Sequence, residues 1–356
     1  MREIDLENAA EFLSQLGWLA AGESPQLTLL EGGVSNLVML VERQTVAAGT
    51  IAERQFVVKQ ARGQLAVAEP WFCSVDRLER EVDVLRACQQ ILADDRGLAA
   101  DHSIGVPTLY GHDPANHLYA MSAAGDGQRT WKSDLLAGEY SQQAAAACGW
   151  LLARLHAGSM GDPQLAEQLA DQQYFEALRL DPYYRQLIRQ HEELAGPLQD
   201  LISSAAEGRC LVHGDFSPKN LVVHQQQLTL IDFEVGHFGD PAFDLGFFQT
   251  HLVLKSIHAG HDQPQVWQLL KTFRQVYLWE MSDRQPDLDQ QELQRQELAH
   301  LGACLLARVD GKSPVDYLDQ QLAQAARQLG RDLLCGRLQS WDTIEYEVAS
   351  YAADRS

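Results

Sequence analysis

Two rhythms divide the hydrophobic positions of this 356-residue chain. Up to Ser122 they come in short runs bounded by polar residues and glycine, the pattern of strands. Leu27–Leu30 and Leu37–Val41 flank Glu31-Gly32-Gly33-Val34-Ser35-Asn36, which predicts a hairpin with a glycine turn. Phe56-Val57-Val58-Lys59 reads as a third strand, and Thr108–Tyr110 and Leu118–Met121 complete a sheet of about five. Two helices accompany it, one over residues 5–16 and one over 75–92, whose Val75, Leu78, Val82, Leu85 and Ile91 recur at helical spacing. After Ser122-Ala123-Ala124-Gly125-Asp126-Gly127 the spacing becomes helical: 140–157, 163–206, 241–257, 264–282, 288–308 and 314–338. Only a compact strand region, 211–233, interrupts it. The pattern predicts a bilobal α+β protein, with an N-terminal lobe of antiparallel sheet plus helix over 1–122 and a mainly helical C-terminal lobe over 123–356.

Composition narrows the class. With 46% hydrophobic and 22% charged residues the chain is globular. A formal net charge of −21 argues against nucleic acid or an anionic membrane as partner. It suits a cationic small molecule, or simply solubility. Cys73, Cys88, Cys148, Cys210, Cys304 and Cys335 form no C-x-x-C pair, and Met1-Arg2-Glu3-Ile4-Asp5 has no signal-peptide character. A reducing, cytoplasmic setting is expected, with no membrane span and a monomer or homodimer.

Chemistry concentrates in Leu211-Val212-His213-Gly214-Asp215-Phe216-Ser217-Pro218-Lys219-Asn220 and Leu228-Thr229-Leu230-Ile231-Asp232-Phe233-Glu234. Leu221–Val223 and Leu228–Ile231 read as paired strands with Gln225–Gln227 at the turn. A hairpin centred on Gln226 sets Asn220 opposite Asp232, with Cβ atoms roughly 5 Å apart. An amide oxygen and a carboxylate at that spacing suit Mg²⁺, which fills its other positions with phosphate oxygens and water. Asp215, in a loop held by Gly214 and Pro218, is placed to accept a proton from a hydroxyl. Asp240 before Pro241 reads as a helix N-cap, and Asp240 and Asp244 as structural supports together with His213.

His-Gly-Asp-x-x-x-x-Asn followed by Asp232 resembles the catalytic loop and metal-binding aspartate of aminoglycoside phosphotransferases and choline kinases. The resemblance covers about residues 25–250. It implies a protein-kinase-like fold and an ATP- and Mg²⁺-dependent transfer of phosphate to a hydroxyl of a small molecule such as a sugar, an aminoglycoside or an amino alcohol. It also implies that Asp215 is the catalytic base and that Asn220 and Asp232 are Mg²⁺ ligands. Lys59 would bind the α- and β-phosphates and pair with a glutamate of the following helix, Glu81 or its rival Glu79. Gly32, Gly33 and Ser35 would lie in the loop over the phosphates, and the backbone near Met121–Ala124 would meet the adenine. Val58-Lys59-Gln60-Ala61, Glu69-Pro70-Trp71, Asp76-Arg77 and Asp232-Phe233-Glu234 are similar to methylthioribose kinases, which implies that Glu234 helps to hold the metal. Those kinases carry paired arginines in the back lobe; here Leu306-Ala307-Arg308-Val309 offers only Arg308. A non-catalytic nucleotide-binding protein on the same scaffold is the alternative, although Lys59, Asp215, Asn220 and Asp232 are all present.

Overall fold

The computed structural model describes residues 2–30, 36–62, 74–94, 104–125 and 129–353. The front begins with α1 (Ala9–Gln15), β1 (Gln26–Leu29), β2 (Asn36–Glu42), β3 (Gln55–Ala61) and α2 (Arg77–Asp94), followed by β4 (Ile104–Gly105), β5 (Leu109–Asp113) and β6 (Leu118–Ser122). Then come α3 (Trp131–Leu136), α4 (Gln142–Ser159), α5 (Pro163–Gln168) and α6 (Gln173–Phe175), which runs through a π-helical turn, Glu176–Arg185, into α7 (Gln186–Gln190) and α8 (Ala195–Ala205). The strands β7 (Cys210–Val212), β8 (Leu221–His224), β9 (Gln227–Leu230) and β10 (His237–Gly239) follow. The chain closes with α9 (Pro241–His258), α10 (Gln263–Arg284), α11 (Gln290–Asp310), α12 (Gln320–Leu334) and α13 (Trp341–Ala353).

Strand order β1-β2-β3-β6-β5 makes a five-stranded antiparallel sheet. Its pleat sends alternate residues to opposite faces. Phe56 and Val58, with Met39, Val41 and Leu118, pack on Phe12 and Leu13 of α1. Val57 and Ala61 face the other way with Leu40 and Tyr119, against Leu78, Val82 and Leu85 of α2. That second cluster continues through α4, α9 and α10 to Ile344 and Val348 of α13. Each fully buried aliphatic or aromatic side chain in it contributes about 1.5–3 kcal/mol. Lys59 lies on this interior face, so its ammonium needs a partner.

The central helix of the back is α9. Asp240 caps it, its Oδ1 accepting from Ala242 N at 2.8 Å with Pro241 at the first helical position. Most of its residues are buried, as expected of a helix packed on all sides. On one flank of α9, α11 meets α12 at Gly302 and Gly330, where a Cβ on Gly302 would come within 2.7 Å of the Gly330 carbonyl oxygen.

Two small sheets follow: β7 pairs with β10, and the β8–β9 hairpin pairs with β4. The hairpin register differs from the one expected. Leu221 faces Leu230 and His224 faces Gln227, leaving Gln225 and Gln226 alone in the turn at φ 48° and 69°. Two left-handed residues match the right-handed twist of the flanking strands, which favours a two-residue turn over a three-residue one. Asn220 is therefore opposite Ile231, whose N–H donates to the Asn220 carbonyl at 2.9 Å. Asp232 returns toward the site by its own backbone, which turns out of the strand at φ 73°.

Other boundaries also moved. The helical run 163–206 is divided by the π-helical turn, which holds Pro182 within a continuous coil. The helix read over 314–338 begins at Gln320, after the Asp319 cap, and stops at Leu334. Neither α3 nor α13 was apparent from spacing. Cys88, Cys148, Cys210 and Cys304 are buried and Cys335 is exposed; Cys73 lies outside the described residues. Among the described residues no helix is long and apolar enough to cross a membrane.

A left-handed backbone costs an L-residue about 1–2 kcal/mol, and Gln225 and Gln226 are both exposed there. Replacing the pair with Asn-Gly should raise the unfolding free energy by about 1 kcal/mol. Urea denaturation should give a higher midpoint with an unchanged slope.

Candidate active site

Lys59 sits at the middle of β3, opposite Val38 and Tyr119, and is 5% exposed. Its Nζ lies 2.6 Å from Glu81 Oε1 on α2 and 2.8 Å from Asp232 Oδ1 beyond β9. Three elements far apart in sequence thus meet at one ammonium. Glu81 faces inward because it shares a helical face with Leu78, Val82 and Leu85. Glu79 points elsewhere, 3.0 Å from His112 Nε2. Burial alone would lower the Lys59 pKa, but Asp232 and Glu81 outweigh it and hold the pKa well above the usual lysine range. Burial pushes the Glu81 carboxyl up to about 7 against the pull of Lys59. Burial opposes charge at Asp232 too, yet Lys59 and then Lys219 keep its pKa well below the ordinary value.

The loop after β7 is fixed from below by Asp244 of α9, which is fully buried. Its two oxygens accept the backbone N–H of His213 at 2.7 Å and of Gly214 at 2.8 Å. His156 of α4 lies 3.3 Å from the same carboxylate, and Tyr277 holds the other imidazole nitrogen at 2.9 Å. Gly214 has φ 74°, and a Cβ there would come within 2.9 Å of the Val235 carbonyl oxygen, so only glycine fits. His213 Nδ1 accepts from Asp215 N at 3.1 Å, and burial lowers the imidazole pKa.

These contacts present Asp215, 3% exposed, to a set of donors. Arg179 lies 2.7 Å from Oδ1 and also donates to the Gly214 carbonyl at 2.8 Å. Lys219 lies 2.9 Å from Oδ2, and Asn220 Nδ2 donates to the same oxygen at 2.7 Å. Burial alone would raise the Asp215 pKa; Arg179 and then Lys219 reverse this and hold it below the ordinary carboxylate range. Sequence reasoning missed both cations. Lys219 was readable from its place between Pro218 and Asn220, whereas Arg179 comes from the π-helical turn and has no local signal.

The remaining expected residues divide. Glu234 Oε2 accepts from Arg77 Nε and from Asn36 Nδ2, each at 3.2 Å, which ties α2 and β2 to the segment after Asp232. Met121 and Ser122 are paired within the sheet, so unpaired backbone begins at Ala123. Gly32, Gly33, Ser35 and the Glu69-Pro70-Trp71 segment lie outside the described residues. Trp131 is buried against Phe248. Among the described residues no three His, Cys, Asp or Glu side chains cluster to hold a metal. Asp232 with the amide oxygen of Asn220 is a sparse, hard-oxygen donor set, of the kind that suits a Mg²⁺ ion completed by phosphate.

Comparison with known proteins places the chain among phosphotransferases. The chain is 25% identical to the methylthioribose kinase of Pectobacterium carotovorum subsp. carotovorum, over 92% of this chain and 90% of that one. It is equally similar to the enzyme of Yersinia pseudotuberculosis, over 92% and 91%. In fold it resembles a choline kinase from Cryptosporidium parvum Iowa II (TM-score 0.57, 12% identity, 98% of this chain and 100% of that one). It also resembles a microcompartment-associated aminopropanol kinase (TM-score 0.52, 17% identity, 98% and 99%). The sequence model of the phosphotransferase enzyme family matches residues 26–253, so the chain belongs to that family of small-molecule kinases.

Proposed function

We propose that the protein transfers the γ-phosphoryl group of ATP to a hydroxyl of a small molecule. The bond from the γ-phosphorus to the bridging β-oxygen breaks, a bond to the acceptor oxygen forms, and the hydroxyl proton passes to Asp215. ADP and a phosphate monoester result. The observation that carries this reading is the convergence on one hairpin mouth of Lys59, tied to Asp232, and Asp215, tied to Asn220. Residues 1–122 form the nucleotide lobe in this reading, with adenine against the backbone from Ala123, and residues 123–356 hold the acceptor. Asp232 and Asn220 hold Mg²⁺, which when bound neutralises the charge on the phosphates. Glu234 keeps that segment in place through Arg77.

Asp215 is ionised and surrounded by donors, which makes it a weak base. It orients the acceptor hydroxyl and takes the proton late, as a loose transition state allows. Arg179 and Lys219 hold the carboxylate in that pose.

Asp215→Asn should reduce turnover about 10²–10⁴-fold and leave ATP affinity within a few-fold; unchanged turnover would remove Asp215 from the chemistry. Arg179→Gln removes the larger of the two cationic fields on a carboxyl whose pKa is depressed. That pKa should rise, moving the acid limb of the kcat/KM profile to higher pH. A limb in its original position would mean that another group titrates there. Asp232→Ala should weaken Mg-ATP binding more than Asn220→Ala in calorimetry, because a full charge exceeds an amide dipole; the reverse order would identify Asn220 as the main ligand.

A further inference from the structure

One face of α9 leads away from the reacting aspartate. Asp244, Phe247, His251 and Lys255 follow one another at three- and four-residue spacing, which aligns them along the helix. Asp244 holds the loop of Asp215. The Arg179 guanidinium, paired with Asp215, stacks 5.4 Å from the Phe247 ring, and His251 meets the far side of this step with its ring 5.2 Å from Phe247. Lys255 lies one turn further and is 4% exposed.

The residues around this line are cations. Lys255 Nζ sits 5.7 Å from the Tyr317 ring, and no carboxylate among the described residues forms an ion pair with it. Arg308 of α11 donates to the Ser313 carbonyl at 2.6 Å, to its hydroxyl at 3.2 Å and to the Tyr183 hydroxyl at 3.5 Å, yet among the described residues it pairs with no acid and its buried Nε has no partner. Tyr317 also keeps a buried hydroxyl without a partner. His251 lies in the field of Lys255, Arg308, Lys219 and Lys132, all positive, and after burial these four depress its basicity. Burial first, then Lys132 and Arg308, push Lys255 down to about 7. A chain with 49 acidic and 28 basic residues has thus left Lys255 and Arg308 without an acidic ion-pair partner among the described residues, with Asp316 the acid next to Tyr317. Unpaired buried charge is costly, and a pair of this kind marks a place where a ligand supplies the missing sign.

We propose that the phosphate acceptor is an anionic hydroxy compound, whose carboxylate or phosphate meets Lys255 and Arg308 while its hydroxyl meets Asp215. This rests on the kinase reading above. At 1.5 Å rise per residue, α9 carries Lys255 roughly 16 Å beyond Asp244. The nucleotide's own phosphates, delivered to Lys59 and Asp232, therefore end short of it. A cationic acceptor, which the net charge of the chain invites, is repelled at this end.

The test is a coupled ADP-release assay on matched pairs: pantothenate against panthenol, gluconate against glucose, ribose 5-phosphate against ribose, with choline as a cation. Within pairs the anion should be preferred by about 10- to 100-fold in kcat/KM, and the carboxylate and phosphate arms identify which anion is used. Lys255→Met and Arg308→Gln should raise KM for that anion about 10- to 100-fold with kcat nearly kept. Lys271→Met, which breaks the distant pair with Glu345, is the control. Preference for the neutral or cationic compounds, or an unchanged KM in Lys255→Met, overturns the proposal and leaves the kinase reading intact. Failure of the wild type to bind Mg-ATP overturns the kinase reading itself, and this proposal with it. If Mg-ATP binds but no acceptor turns over, millimolar sulfate decides: a thermal shift lost in Lys255→Met supports the anion site, and equal shifts in both overturn it.

Discussion

A single buried ammonium ties the front sheet to the β8–β9 hairpin. Lys59 is fixed by β3, Glu81 by α2, and Asp232 by the exit from β9; none of the three is satisfied in so dry a place without the others. Removing one member of a buried pair costs about 3–5 kcal/mol, because the remaining charge is left alone. The sheet and the hairpin are therefore held in register by charge as much as by the apolar cluster beneath them. The same contact keeps Asp232 ionised, which is the state a metal requires.

The loop after β7 solves a related problem in the opposite sense. Asp244 fixes its backbone from the helical side, and Arg179, Lys219 and Asn220 fix its carboxylate from above. So much positive charge around Asp215 is poor provision for a strong base and good provision for a precise hydrogen-bond acceptor. Formal charge of the whole chain says nothing about this: at −21 the protein is strongly acidic, while the surroundings of Asp215 and His251 are basic.

Much of this was legible in the sequence where the signal is local. The five strands of the front sheet, α2 and α9 stand close to their expected bounds, since alternation and helical spacing report directly on which face is buried. The choice between Glu81 and Glu79 stayed open in the sequence, and the structure decides it by the contact of Glu81 with Lys59. The hairpin register was misread because Gln-Gln lacks the Asn-Gly signature of a two-residue turn, and one residue of error moved Asn220 from Asp232 to Ile231. Arg179 could not be found, because a π-helical turn around Pro182 brings it to Asp215 across 36 positions of chain. The pair Lys255 and Arg308 was hidden for the same reason: α9 and α11 each contribute an unremarkable cation, and only packing brings both to the segment around Tyr317.

The backbone of Asp232 sets the demands of folding against those of chemistry. Its left-handed conformation costs an aspartate about 1–2 kcal/mol, and glycine would relieve that cost at once. Against that gain stands the ion pair with Lys59, so the strain is offset as long as the two charges meet. Lys59 is under no such conflict, since losing it strands Glu81 in the interior. In descendants freed from the reaction, the aspartate should be the first of the two to go, and a glycine in its place would mark a lineage that has kept the fold and given up the enzyme.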